Sequence, residues 1–550
     1  MNKTYTAALI SLLFALPAAA ADKFHPGQTW NDKNGSAINA HGGCIQYADG
    51  YYYWFGEYRN GGKSAGISCY RSGDLYNWEK LALAVTPTGT MTADGTDIAN
   101  GRTMERPKVI YNERTGKWVM WFHWENGTNY NEAKCAVLTA DKVQGPYTLT
   151  GVFRPNGCDS RDQTLFLDDD GQAYHVYSTN TNSNTHCERL ADDFLTPLPD
   201  YTVQLKGRRY EAASIFKAGE TYYGLFSGCT GWSPNPGRYM WTTDLMGGTW
   251  EAPADFRASD GSTGINFCTD DGMSTTYDSQ SAYVIPVHGK DKCFIYYGDR
   301  WNSGNIQSSK YVWLPLSVRS GYPTVQWYDS WDLSVFDDMY RMKRAKTLRD
   351  GMEVSLLERY SNRLVSRPKA SLTLENDGTS NLRFVLHATD DPYVWKIEDK
   401  STGKYMQSVF GTLRWNALGD DAAQQWRFLL QEDGYYKLQN VADGVVLSVS
   451  GNSTQAGTSL YLHSASEDIH QFFGVYFDSQ LHVDYEEADM WSAGYRAANR
   501  ALMDVQTAVE RLSAGDGRRS EAAYDLSGRK VSEGSQPRGI YIKNGKKFMK

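Results

Sequence analysis

Between His41 and Tyr297 the chain repeats one pattern: a charged or polar residue, a short polar–apolar alternation, a Gly- or Asp-containing turn, then an aromatic run. Period-two alternation marks strands buried on one face, and the turn residues mark hairpins. The first copy opens at His41, turns at Asp49-Gly50 and continues through Tyr51–Phe55. The second opens at Glu105, turns near Thr115-Gly116 and continues through Trp118–Trp121. The third opens at Asp162 and turns at Asp170-Gly171, the fourth opens at Glu211 and turns at Ala218-Gly219, and the fifth opens at Gln280 and turns around Gly289–Asp291. Hairpins recurring about every 50 to 70 residues, without helical periodicity between them, predict a five-bladed β-propeller over 22–335.

In a propeller the first strand of each blade lines the central channel, so the residue opening each unit stands at the channel mouth. His41, Glu105, Asp162, Glu211 and Gln280 thereby converge. The competing reading makes them solvated turn charges, but their recurrence at one position of each unit favours a shared pocket.

Beyond Trp331 the pattern changes. A basic stretch, Arg341 to Arg349, falls in a predicted linker, 336–353, and three units over 354–480 end alike in Tyr393-Val394-Trp395, Gln424-Gln425-Trp426 and Gln471-Phe472-Phe473. Met490, Ala497, Ala501, Val505 and Leu512 recur on or near one helical face within a segment spanning 481–515, the spacing of a helix that packs on a domain. At the other end, Lys3, the apolar Ala7–Leu16 and Ala18-Ala19-Ala20 predict a signal peptide over 1–20.

Charge and cysteine change the picture modestly. A net charge of −8 with scattered Lys and Arg argues against a nucleic-acid or anionic-membrane partner. No later segment is apolar enough to span a bilayer. The eight cysteines lie between Cys44 and Cys293, which suits disulfides in an exported first domain. Their spacing lacks the paired short loops of a zinc site, so neither metal nor cofactor is expected. Abundant Tyr and Trp suit a β-rich core and also suit flat platforms for sugar rings.

Cleavage of a glycosidic bond needs one carboxyl that keeps its proton, and a second group that activates water or attacks the sugar. Glu211, flanked by Tyr210, Ala212 and Ala213, has the apolar setting of the acid; Asp162 beside Arg161 suits a group that stays ionised and orients it.

These residues carry a resemblance. Residues 22 to about 335 resemble glycoside hydrolase family 43, in its exo-β-1,3-galactanase branch, through Ala40–Gly43, Gly56-Glu57, Glu105–Asn112, Ser160–Asp162, Glu211–Ala213 and Tyr277–Gln280. The resemblance implies Glu211 as general acid, Asp162 as modulator of its pKa, Glu105 as a holder of the terminal galactose, and Gln280 as an unusual base or a positioner of water. It implies Glu57, Tyr130, Asn182 and Thr230 in the sugar site, beside His41 from the channel mouth. Most of that family carries an aspartate base on the first blade, where this chain has Ala40-His41-Gly42-Gly43. That absence fits the galactanase branch and leaves the base to Gln280, Glu57, Glu105 or solvent.

The three similar endings resemble the Gln-x-Trp signature of ricin-type β-trefoils, which implies an all-β chain: propeller, trefoil, a short C-terminal helix and a tail. Ser448 stands where that family's sugar-binding aspartate is expected, so the trefoil is either a lectin or purely structural. The tail, 516–550, resembles sorting tails of secreted Bacteroidetes proteins and implies a periplasmic, cell-surface or extracellular enzyme. The expected partner is β-1,3-galactan or arabinogalactan, met by a monomer. The alternatives are a β-xylosidase or α-L-arabinofuranosidase of the same family, or a glycan-binding protein without chemistry.

Overall fold

The computed structural model describes residues 21–247, 250, 266–269, 272–319, 321–367, 371–375, 383–431, 433–490 and 492–514, and short stretches at 523–525, 530–531, 540–543 and 546–549. The expected signal peptide, 1–20, and most of the expected sorting tail lie outside them. Four of the short stretches pair as a small sheet of β33 (Ala523–Asp525), β34 (Lys530–Val531), β35 (Ile540–Lys543) and β36 (Lys546–Met549).

The repeated hairpins form five separate antiparallel sheets, the blades of a propeller. Blade one is β1 (His41–Ala48), β2 (Tyr51–Asn60), β3 (Lys63–Ser72) and β4 (Glu79–Lys80). Blade two is β5 (Thr103–Asn112), β6 (Lys117–Glu125), β7 (Lys134–Ala140) and β8 (Thr148–Phe153). Blade three is β9 (Gln163–Leu167), β10 (Ala173–Thr179), β11 (Asn184–Leu190) and β12 (Pro197–Gln204). Blade four, among the described residues, is β13 (Tyr210–Ala218), β14 (Thr221–Gly228) and β15 (Arg238–Thr242). Blade five is β16 (Gln280–Pro286), β17 (Phe294–Arg300), β18 (Lys310–Ser317) and β19 (Thr324–Val325), preceded by the short α1 (Gly272–Thr275). The innermost strands β1, β5, β9, β13 and β16 close into a ring. A bridge between Phe24 and Trp331 ties the two ends of the propeller together.

Four of the five inner strands begin with the same irregularity. The register shifts between His41 and Cys44, Glu105 and Lys108, Glu211 and Ser214, and Ser281 and Tyr283. In three of them the residue after the opening side chain has positive φ: Gly42 at 61°, Arg106 at 54° and Ala212 at 55°. A bulge of this kind re-aims the side chain at a strand end. Non-glycine residues in the left-handed region cost about 1–2 kcal/mol each. The fold therefore accepts local strain where it turns the opening residues toward the axis.

The second half is a trefoil. Six strands, β21 (Met352–Glu358), β24 (Phe384–Ala388), β25 (Val394–Asp399), β28 (Trp426–Leu430), β29 (Tyr436–Asn440) and β32 (Phe473–Asp478), pair in sequence, and β29 pairs back onto β32 to close a barrel. The hairpins β22–β23 (Leu364–Ser366, Thr373–Glu375), β26–β27 (Lys404–Val409, Thr412–Asn416) and β30–β31 (Val446–Val449, Leu460–His463) supply the other half of each threefold unit. The Gln-x-Trp signature has a structural role here. Gln424 donates to Ala417 O at 2.8 Å and accepts from Gly419 N at 2.8 Å, while Trp426 donates to Met406 O from inside the barrel. Gln471 staples its own loop in the same way, to Ser464 O and Ser466 N.

The stretch 336–353 includes most of α2 (Val335–Arg341) and all of β20 (Met342–Arg344), which pairs with β32, so it is built into the trefoil sheet rather than linking across space. The propeller and trefoil share one apolar cluster in which Tyr435, Phe472 and Tyr476 pack with Phe267, Tyr296 and Trp313. Arg359 pairs with Asp433 at 2.7 Å and Tyr322 donates to the same carboxylate at 2.9 Å across that seam. The helix α3 (Ala493–Ala514) packs on β28, where Gln506 accepts from Leu430 N and donates to Phe428 O.

The disulfides do not form, since all eight cysteines are free. Cys44 and Cys69 show why: each is the partner of Phe55, one on either side of β2. They are two strand spacings apart, about 9.6 Å, beyond the reach of a disulfide. Burial pushes the Cys44 thiol up to about 11, so it behaves as a small apolar side chain.

Candidate active site

At the bulged end of the inner strands is a cavity of about 290 Å³. Glu57, Glu105, Tyr130, Asp162, Asn182, Glu211, Gln280 and His41 all line it. Below, the channel is filled. Buried Lys108 donates to Gly42 O at 2.9 Å, Gln163 donates to Arg106 O at 2.6 Å and Trp121 O at 3.1 Å, and Ser214 meets Ser281 at 2.7 Å. Burial lowers the Lys108 ammonium to about 7. The cavity is therefore a pocket floored by side chains.

Glu211 is the centre of one wall. Its Oε1 accepts from Gln280 Nε2 at 3.0 Å and its Oε2 from Asn182 Nδ2 at 3.2 Å. Burial, reinforced by the negative charge of Asp162, pushes the Glu211 carboxyl up to about 7, against the opposing pull of Arg106. Asp162 itself accepts from Ala212 N at 3.1 Å and pairs with Arg106 at 3.1 Å. The bulge at Ala212 thus gives Asp162 a backbone donor one residue from Glu211.

Gln280 has a fixed orientation. Its Oε1 accepts from Trp301 Nε1 at 2.9 Å and from Arg106 Nη2, and both of these groups can only donate. Its amide nitrogen must then face Glu211 and, at 3.4 Å, the Ser227 hydroxyl. An imidic-acid form would turn an O–H toward those two N–H donors. The geometry therefore fixes the Gln280 amide between Arg106 and Trp301 on one side and Glu211 on the other.

The facing wall comes from blades one and two. Arg59 bridges Glu57 at 2.9 Å and Glu105 at 3.1 Å, and Tyr130 donates to Glu105 at 2.7 Å. Burial, with Glu105 beside it, raises the Glu57 carboxyl to about 8 despite Arg59. Such a set offers hydroxyl-binding acceptors and donors held in fixed directions.

Two residues are engaged by the protein itself. His41 lines the cavity but is fully buried, with Nδ1 on Asp299 at 3.2 Å and Nε2 on Gln307 O at 3.4 Å, and its ring stacks on Tyr311. Thr230 does not line the cavity; its hydroxyl donates to Ser233 O at 2.6 Å and accepts from Asn235 at 2.7 Å, steadying the loop that brings Gly231 and Trp232 to the rim.

Sequence reasoning missed Arg59, Arg106, Trp232 and Trp301. Trp301 lies 5.9 Å from the Arg106 guanidinium and 5.3 Å from the half-exposed Trp232, giving the pocket an aromatic rim. Arg106 was visible in the Glu105–Asn112 stretch, but nothing local to it signals that its guanidinium joins Asp162, Gln280 and the Ser281 carbonyl. Among the described residues no group of three or more His, Cys, Asp or Glu is arranged to hold a metal ion, and no helix is long and apolar enough to cross a membrane.

Residues 43–251 match the family model for glycosyl hydrolases family 43, and residues 380–463 and 422–480 match the ricin-type β-trefoil lectin domain-like family. A solved structure described as a GH43 β-1,3-galactosidase is 52% identical, with a TM-score of 0.82, over 88% of this chain and 99% of that one. An exo-β-1,3-galactanase from Clostridium thermocellum is 28% identical, with a TM-score of 0.52, over 82% of this chain and 99% of that one. One from Phanerochaete chrysosporium, solved with β-1,3-galactotriose, is 26% identical, with a TM-score of 0.51, over 84% and 96%. A curated Escherichia coli (strain K12) protein is 28% identical over 120 residues, so the chain spans about one fifth of that relative's length. A propeller pocket with an acid-tuned glutamate, a matching family model and a half-identical relative covered almost end to end leave one placement: the chain belongs to glycoside hydrolase family 43.

Proposed function

We propose that this glycoside hydrolase is exported and releases single galactose residues from the non-reducing ends of β-1,3-galactan, the backbone of arabinogalactan, with inversion at the anomeric carbon. The observation that carries the reading is Glu211, a carboxyl raised to about 7 in a pocket whose floor is closed. A floored cavity of about 290 Å³, at the lower end of the roughly 300–1,000 Å³ usual for ligand pockets, suits one terminal sugar rather than an internal stretch of chain. The names of the structural relatives supply the sugar and linkage. A signal-like start and sorting-like tail support export, and the trefoil supports retention on the same glycan, as a monomer.

In this mechanism Glu105, Tyr130 and Arg59 hold the hydroxyls of the terminal galactose, and Glu211 gives its proton to the glycosidic oxygen as the C1–O bond breaks. Water oriented by Gln280 adds to C1 from the opposite face, its proton passing to Glu105 on the facing wall or to solvent, because Glu57, raised to about 8, already carries a proton where Glu211 is active. The amide of Gln280 cannot serve as the carboxylate nucleophile that a retaining enzyme uses, so the first product is the inverted anomer.

The coupling of Asp162 to Glu211 gives a test. Glu211 acts in its protonated form, so kcat/KM falls as pH rises through about 7. Asp162→Asn removes the negative charge that favours the protonated carboxyl and frees Arg106 to attract the ionised one. Both changes lower the Glu211 pKa, so the alkaline limb should move to lower pH by on the order of one unit. A limb that stays in place shows that Asp162 does not govern the acid.

A further inference from the structure

Glu211 is held on one side by Asn182, and Asn182 stands at the end of an improbable turn. Asn180, Thr181 and Asn182, between β10 and β11, are three successive residues in the left-handed region, with φ of 51°, 55° and 59°. None is glycine, and Thr181 is β-branched, the type least suited to that conformation. Such a turn persists only where its surroundings over-determine it.

The over-determining group is a single carboxylate. Asp159 Oδ1 accepts from Thr179 Oγ1 at 3.0 Å and from Asn180 N at 2.9 Å, and its Oδ2 accepts from Thr181 N at 3.1 Å. These bonds satisfy two backbone N–H groups that the left-handed path turns away from the strand ladder. Beyond them Asn182 donates its side-chain amide to Glu211 Oε2 at 3.2 Å. The same segment continues into Asp162, whose carbonyl accepts from Ser178 N, while Arg161 N donates to Ser178 O. One four-residue stretch, 159–162, therefore sets two neighbours of Glu211: Asp162 through its own charge and Asn182 through the clamped turn.

We propose that Asp159 is a positioning residue for the hydrolysis, clamping the left-handed turn so that Asn182 holds the carboxyl of Glu211 toward the scissile bond. The proposal rests on Glu211 being the acid. It goes beyond that reading by assigning catalytic consequence to a side chain that does not line the pocket.

The test uses the full chain and pH–rate profiles on a β-1,3-galactobiose. Asp159→Ala should lower kcat about tenfold with little change in KM, because a misaimed acid loses alignment rather than binding. Asn182→Ala, which changes no charge, should reproduce that loss and move the alkaline limb upward by roughly half a unit, since an N–H donor to the ionised carboxylate is lost. That sign is opposite to Asp162→Asn, and general loosening of the fold predicts no such shift. Asp159→Ala also removes a negative charge and releases Arg161, 3.8 Å from it on the pocket wall, so its limb is not the readout; its kcat is, and the double variant should be no worse than either single one. Thr181→Gly added to Asp159→Ala should restore part of the rate, because glycine enters the left-handed region without a clamp. Asp159→Ala with wild-type kcat overturns the proposal, as do losses that add in full in the double variant. If Glu211→Gln keeps the alkaline limb, the acid assignment falls and takes this proposal with it; a limb lost in Glu211→Gln but unmoved in Asn182→Ala defeats the proposal alone.

Discussion

Glu211→Gln is expected to lower turnover of β-1,3-galactan by a factor on the order of 10² to 10⁴, the usual worth of a positioned general acid. The substitution keeps size and hydrogen-bonding capacity, so the amide can still meet Gln280 and Asn182 and the pocket stays intact. It removes the transferable proton. KM should therefore change little while kcat falls. The loss should shrink on aryl galactosides whose leaving groups are already acidic, because those need little protonation. Steady-state kinetics on the two substrate types separate the cases. Equal losses on both point to a damaged site, and wild-type turnover on galactan removes Glu211 from the acid role.

The second large effect is at Gln280. Gln280→Ala deletes the acceptor shared by Arg106 and Trp301 together with a donor to Glu211, so three neighbours lose alignment at once. A fall in kcat of about 10² to 10³ is expected, in the range of lost positioning and electrostatic preorganisation. Truncation opens space where water approaches C1. Azide entering that space should attack C1 as Glu211 protonates the departing oxygen, forming a C1–N bond with inverted configuration while the C1–O bond breaks. Recovery of rate with added azide, and that glycosyl azide as product, are the expected results. A nearly active Gln280→Ala enzyme would reduce Gln280 to packing. Gln280→Glu should not restore the wild type, since a second negative charge beside Glu211 would raise that pKa further.

Much of the architecture was legible because it repeats. Five aromatic hairpins at regular spacing specify five blades, and the residue opening each unit reaches the channel whatever fills the loops between. Two kinds of information were not legible. One is strand-end geometry: the bulges that turn Glu105 and Glu211 inward depend on positive φ at Arg106 and Ala212, residue types that do not advertise it. The other is contact across the ring. His41 reads as a ligand for substrate because it opens blade one, yet Asp299, 258 residues away, takes its imidazole from behind. Arg59 and Trp301 matter for the same nonlocal reason. Thr230 failed through a local cause, a turn in which Ser233 and Asn235 take its hydroxyl. The cysteines misled because export suggests disulfides, whereas burial on alternate strands of one blade holds Cys44 and Cys69 apart.

The structure also changes how the second half is understood. The basic stretch within 336–353 reads as a linker or an inter-domain seam, and beside it Arg359, Asp433 and Tyr322 meet where trefoil joins propeller. The trefoil thus braces the propeller through that shared core, and any glycan binding it performs is additional to that support.

Anomer-resolved NMR of the first turnovers on β-1,3-galactan reads exo-hydrolysis and inversion together. Free galactose should be the first sugar released, appearing as the α-anomer before mutarotation, with no oligosaccharides at early time. Early oligosaccharides would contradict the closed pocket, and galactose appearing first as the β-anomer would contradict the single-displacement chemistry assigned to Glu211 and Gln280.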